Sequence, residues 1–238
     1  ASSRSPDDHL SFVPSSYRML FDLERPATWQ NLPADAHVIW CFPPTPEEHV
    51  SRFAQQVFSK NGRLIVLGST SAYDRPALRS PRPEALIDES WPLDLTRPRV
   101  RGEEYLRLHH GATVLRVAGI YGPGRNVLDW IRLGKVTAST RYVNLIHVED
   151  LAAICLLALE RAKPGESYNV SDGVPRRWAD ICAEAKRRWG ITSLPGTDDS
   201  RPGKRISITK LRRDFDYSFR HQDLYAALES IEPPSHSQ

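Results

Sequence analysis

Cysteine is scarce in this chain: Cys41, Cys155 and Cys182 stand 114 and 27 residues apart, with no C-x-x-C pair. That spacing excludes a dense disulfide framework and predicts reduced, buried thiols in a cytoplasmic protein. Long apolar runs are missing too. The longest, Leu151 to Leu159, has nine residues, far short of the roughly 20 that a membrane-spanning helix needs. Nor does one sign of charge dominate. The 32 Lys plus Arg against 29 Asp plus Glu leave a formal +3, too little for a nucleic-acid binder that neutralises many phosphates. The polar opening Ala1-Ser2-Ser3-Arg4-Ser5-Pro6 has neither an initiator Met nor an apolar signal segment, so some upstream sequence is expected to be missing. Lysine is rare, 6 residues against 26 arginines, a bias that reflects codon composition more often than anion binding.

What is present is a switching hydrophobic period. His37 to Phe42 is rich in β-formers and stops at Pro43-Pro44, which predicts a buried strand. Thr45-Pro46-Glu47-Glu48 then offers a cap oxygen, a proline for the first turn and an acidic residue, the pattern of a helix start. Val50, Phe53, Ala54 and Val57 follow at i, i+3, i+4 and i+7, and Asn61-Gly62 should end the helix. Arg63 to Gly68 is apolar without alternation, as suits a strand covered on both faces of a parallel sheet. A helix near Gly102 to His109 and a strand over Thr113 to Ala118 make a second unit of the same kind. Further helices are predicted over Glu149 to Arg161, Trp178 to Trp189 and His221 to Ile231. The Pro-rich stretches 76–84 and 92–98 read as surface excursions, Pro195 to Asp199 as a loop, and the Pro/Ser tail as frayed. The architecture expected is α/β, a doubly wound parallel sheet of Rossmann type.

In such a sheet, ligands bind beyond the carboxyl ends of the strands. That rule nominates Phe42 to Thr45, Gly68-Ser69-Thr70-Ser71-Ala72-Tyr73, and Gly119 to Arg125. Three hydroxyls directly after a buried strand can hold a substrate carbonyl or phosphate, or they can cap the turn that follows; the pattern alone leaves both open.

Gly68 to Tyr73, then Val114-Leu115-Arg116-Val117-Ala118-Gly119-Ile120-Tyr121-Gly122-Pro123-Gly124-Arg125, then Asn144-Leu145-Ile146-His147-Val148-Glu149-Asp150, together resemble the extended short-chain dehydrogenase/reductase superfamily. More narrowly they resemble its atypical NAD-dependent epimerase/dehydratase branch, which includes the YeeZ-like proteins. Tyr168-Asn169-Val170-Ser171-Asp172 and Gly203-Lys204-Arg205-Ile206-Ser207 match in order. The resemblance spans roughly residues 36–230. It implies NADP or NAD as cofactor, a sugar nucleotide or another small carbonyl compound as substrate, and pairing of two copies through helices such as 45–61. It also implies a Rossmann-like core over 1–121 plus 143–170, with a substrate-side lobe formed by 122–142 and 171–238.

By position, the resemblance makes Ser69, Tyr73 and Tyr121 the catalytic candidates. Arg4, Phe42, Pro43, Gly68, Ser69, Thr70, Gly119 and Ile120 become cofactor-binding candidates, with Arg4 meeting the 2'-phosphate of NADP. Ser71, Tyr121, Arg125 and Asn126 become substrate-binding candidates. His147 and Asp150 are expected to support the fold.

Two family features are absent. No G-x-G-x-x-G turn occurs, as if the chain began after the first strand, turn and helix, on the order of 30 residues. No Y-x-x-x-K occurs either, and Leu95 to Glu104 holds arginines, which stay protonated and cannot act as general acids near neutral pH. Two functions are therefore expected: an NAD(P)-dependent oxidoreductase with Tyr73 or Tyr121 as substitute acid, or a degenerate protein of the same fold that binds a dinucleotide or metabolite. A Ser-His-Asp hydrolase built from Ser69 or Ser71, His147 and Asp150 is a weaker alternative, because the loop lacks G-x-S-x-G. No metal site is expected, since the histidines show no ligand spacing beyond His109-His110.

Overall fold

A computed structural model of the chain describes residues 1–33, 35–57, 62–73, 86–194, 196 and 203–233. In chain order its main elements are β1 (Val38–Trp40), α1 (Glu47–Val57), β2 (Leu64–Ser69), α2 (Pro98–His110), β3 (Thr113–Val117), β4 (Gly119–Tyr121) and α3 (Val127–Arg132). There follow β5 (Leu145–His147), α4 (Val148–Arg161), β6 (Ser167–Val170), α5 (Trp178–Trp189), α6 (Thr209–Phe215) and α7 (Leu224–Ile231). β1 runs parallel to β2, with Val38 opposite Leu64 and Trp40 opposite Val66, in a sheet of order β6-β3-β2-β1. Helices alternate with these strands, so the fold is α/β with a parallel sheet.

The chain divides into two compact units. The first holds residues 1–68, 95–114 and 163–166. Trp29 and Trp40 meet Phe53 of α1 edge-on, at 5.2 and 5.6 Å between ring centres, a geometry that suits the aromatic quadrupole. Val50, Phe53 and Ala54 are buried, the helix face that the apolar spacing predicts. α2 begins at Pro98, four residues before the expected start, since a proline at the first position has no N–H to satisfy. It ends at Gly111 in the left-handed region, φ 63°. Within α2, Gly102 passes so close to the Pro44 carbonyl that a Cβ there would collide with it. Ser2–Ser3 and Met19–Leu20 pair in parallel. Cys155 and Cys182 are buried as expected, but Cys41 is exposed, because it follows the last residue of β1, where side chains leave the core. The predicted stop of α1 at Asn61 lies outside the described residues.

The second unit holds residues 69–94, 115–162 and 167–238. β4 and β5 are parallel, Gly119 opposite Leu145 and Tyr121 opposite His147. Leu86–Ile87 pairs in parallel with Arg205–Ile206, and Tyr142–Val143 pairs antiparallel with Arg176–Arg177. One core gathers Tyr121, Leu128, Ile131, Leu145, Ile181, Trp189, Leu224 and Leu228. α5 buries the predicted face and closes at Gly190, φ 68°. α7 starts at Leu224 rather than His221, because the Asp223 carboxylate accepts the N–H groups of Tyr225 and Ala226 and fixes the first turn there. The 76–84 stretch, most of the 195–199 loop and the tail from 234 lie outside the described residues. No helix among the described residues is long and apolar enough to cross a membrane.

Candidate functional site

β2 delivers Ser69 at its end, and Thr70–Tyr73 continue as a 3-10 turn. Ser69 Oγ accepts the Ser71 N–H at 3.2 Å, so part of the hydroxyl set does cap its own turn. The half-buried side chains of Ser69, Thr70 and Ser71 are not sealed into the core. Lys204 donates from Nζ to the Thr70 carbonyl at 2.8 Å. Its backbone is held in turn by the fully amide-paired side chain of Asn144, whose Nδ2 donates to the Lys204 carbonyl at 2.8 Å and whose Oδ1 accepts from Ile206 N–H at 3.0 Å. The Asn144 carbonyl accepts from Gly119 N–H at 3.0 Å. Gly203, at φ 75°, lies against the Tyr142 backbone with no room for a Cβ. One asparagine therefore ties the hydroxyl loop, through Lys204, to Gly119, which opens strand β4 rather than the loop expected over Gly119 to Arg125. Neither Asn144 nor Lys204 was a predicted site residue; the only signal was their place within the Asn144 to Asp150 and Gly203 to Ser207 motifs.

The tyrosines are held differently. Tyr73 is 4% exposed; its hydroxyl donates to Asn169 Oδ1 at 2.7 Å and accepts from Arg116 at 3.1 Å. Burial pushes this phenol up to about 12, against the pull of the Arg116 guanidinium. Asn169 uses its remaining groups as well: Nδ2 donates to the Ile87 and Ser207 carbonyls, both at 3.2 Å, and its backbone N–H goes to Glu89 at 2.7 Å. Tyr121 is fully buried, its hydroxyl 3.4 Å from the His221 carbonyl. Burial raises its pKa, and the nearby Asp172 carboxylate adds to the rise. Arg125 donates to the Ile120 carbonyl at 2.8 Å and stacks over Trp130. Asn126 caps α3 by accepting Leu128 N–H at 3.0 Å and donates to Glu232 at 3.1 Å.

His147 caps α4, accepting Glu149 N–H on Nδ1 at 3.3 Å. Asp150 is fully buried and accepts from the Tyr217 hydroxyl at 2.7 Å and from the backbone N–H groups of Arg220 and His221 at 2.8 and 3.0 Å. Its oxygens thus anchor residues 217–221 rather than orient an imidazole for a triad.

The remaining candidates belong to the first unit. Arg4 is exposed just after Ser2–Ser3. Phe42 is 41% exposed and leans on Trp40 at 4.9 Å, and the Pro43 carbonyl accepts Thr45 N–H at 2.9 Å. Gly68 is buried where a Cβ would lie 2.8 Å from the Glu103 carboxylate, so the strand packs closely against α2 there.

No family model matches the chain. Protein YeeZ of Escherichia coli strain K12 is 25% identical over 170 residues, 68% of this chain and 59% of YeeZ. The chain thus spans less than two thirds of that relative. A short-chain dehydrogenase/reductase superfamily protein from Agrobacterium tumefaciens, solved with bound NAD, superposes with a TM-score of 0.71 at 15% identity over 92% of this chain and 86% of its own. The dTDP-glucose 4,6-dehydratase of Bacillus anthracis in complex with NAD superposes with a TM-score of 0.62 at 14% identity over 94% and 76%. The parallel sheet, the order of the motifs and these likenesses agree that the chain has the fold of the extended short-chain dehydrogenases/reductases.

Proposed function

We propose that the chain binds NADP or NAD and acts on a sugar nucleotide or another small carbonyl compound, as an oxidoreductase of the epimerase/dehydratase type. The observation that carries this reading is the tie made by Asn144 and Lys204 between the hydroxyl loop and Gly119 at the start of β4. A strand-end loop of a parallel α/β fold that bears half-buried hydroxyls is the kind of place that such sheets use for ligands. In this reading Ser69 and Ser71 donate hydrogen bonds to the reacting substrate oxygen, Gly119 and Ile120 border the nicotinamide, and the exposed Arg125 belongs to the substrate wall, while Tyr121, expected there too, is instead sealed in the core. The nicotinamide would carry the hydride. The residues present suit that end of the cofactor only, since no G-x-G-x-x-G turn is there to cradle a pyrophosphate. The NAD complexes of the similar structures support the cofactor, and the substrate named for the dTDP-glucose dehydratase supports a nucleotide-linked sugar.

A second reading, binding without turnover, is favoured by one observation: both candidate acid hydroxyls are buried and already engaged, at Asn169 and Arg116 for Tyr73 and at the His221 carbonyl for Tyr121. A phenol whose pKa is raised gives up its proton less readily, and no Y-x-x-x-K lysine offsets this.

Calorimetry with NAD, NADH, NADP and NADPH, followed by turnover of a panel of sugar nucleotides, separates the two readings. The oxidoreductase reading expects binding together with turnover that falls at least about a hundredfold in Ser69→Ala while dinucleotide affinity stays within about threefold. Binding with no turnover selects the second reading, and no binding of any dinucleotide refutes the first reading and leaves of the second only its metabolite-binding form.

A further inference from the structure

Three potential ligands that lie far apart in sequence meet at the start of α4. His147 ends β5, Glu149 lies in the first turn of α4, and His221 arrives 72 residues after Glu149. The buried Asp150 fixes the backbone that carries His221, through the N–H groups of Arg220 and His221 and the hydroxyl of Tyr217. His221 Nε2 lies 2.8 Å from Glu149 Oε2, and its ring centre is 3.7 Å from that of His147. One donor atom from each of the three residues lies within 4.8 Å of the others.

We propose that His147, Glu149 and His221 bind a divalent cation of borderline softness, with Zn²⁺ as the type ion. Two imidazoles and one carboxylate suit Zn²⁺, Ni²⁺ or Cu²⁺, whereas Mg²⁺ and Ca²⁺ favour oxygen-only sets. Without the ion, His221 Nε2 and Glu149 Oε2 lie in hydrogen-bond contact, and His147 Nδ1 accepts the Glu149 N–H over a long 3.3 Å. Binding exchanges the His221–Glu149 hydrogen bond for metal–ligand bonds to both groups. The carboxylate of Glu149 is 58% exposed and the ring of His221 23%, so both can rotate to bring the donors to about 2.0–2.2 Å from one centre and leave the open positions to water. Arg220 lowers the affinity and Asp150, behind the same turn, raises it. Such an ion fastens residues 217–221 to α4, a role separate from the hydride chemistry proposed above.

The test uses tag-free, chelator-treated protein titrated with ZnCl₂ by calorimetry. Wild type is expected to bind one Zn²⁺ per chain with a higher Tm. His221→Ala and Glu149→Gln, which leave the buried His147 and the core intact, should each weaken binding tenfold or more. A His109→Ala/His110→Ala double variant should bind as wild type does. Equal affinity in wild type and His221→Ala, absence of Zn²⁺ binding, or loss of binding only in the double variant overturns the proposal. Circular dichroism of the metal-free variants guards against misfolding, and anomalous diffraction at the zinc edge locates the ion if either single variant fails to fold.

Discussion

Asn169 does more than any other single side chain to organise the polar interior around Tyr73. It is fully buried and its partners Tyr73, Ile87 and Ser207 come from 96, 82 and 38 residues away. The sequence singles out Tyr73 through its hydroxyl-rich loop, yet nothing in that loop announces the amide that will bind it. The pairing has a consequence in alkali. A tyrosine ionises near pH 10 in the unfolded chain, and Tyr73 does so at about 12 in the folded one. Between those values the folded state binds more protons, so stability falls as the pH rises from 10 towards 12. Tyr73→Phe is expected to reduce that slope. It should also lower stability near pH 7 by about 1–3 kcal/mol, because Asn169 Oδ1 loses its donor in the core. Urea denaturation between pH 7 and 11 measures both effects, and an unchanged alkaline slope would contradict the assignment.

Among the elements, those with two or more turns and a regular apolar face were readable from spacing. Val50, Phe53 and Ala54 in α1 and Ile181, Cys182, Ala185 and Trp189 in α5 are buried as their period requires. α3 and α6, of six and seven residues, were not predicted, because one or two turns cannot display a period. Element ends depended on chemistry of unequal strength. In α2 a Cβ at Gly102 meets the rigid Pro44 carbonyl. Gly102→Ala should therefore destabilise by about 1–3 kcal/mol despite its better helix propensity, seen as a lower Tm. A rise in Tm would show that α2 can shift. At α7 the Asp223 side chain caps two N–H groups, so Asp223→Ala should cost about 1 kcal/mol in chemical denaturation. Asp223→Asn should recover most of it, and equal losses in both variants would point away from the cap.

For the molecule as a whole, strand-helix-strand alternation was sufficient to predict a parallel α/β fold, and the strand-end rule found the hydroxyl loop. The partners of that loop were hidden by distance along the chain: 60 residues separate Asn144 from Lys204, and 134 separate Thr70 from Lys204. The cluster of His147, Glu149 and His221 was hidden in the same way, since ligand-spacing rules read one segment at a time. Lys204 is held at both ends by distant partners: Thr70 receives its ammonium and Asn144 grips its backbone carbonyl. A substitution at Asn144 would therefore be felt at the hydroxyl loop, a neighbourhood it never touches along the chain.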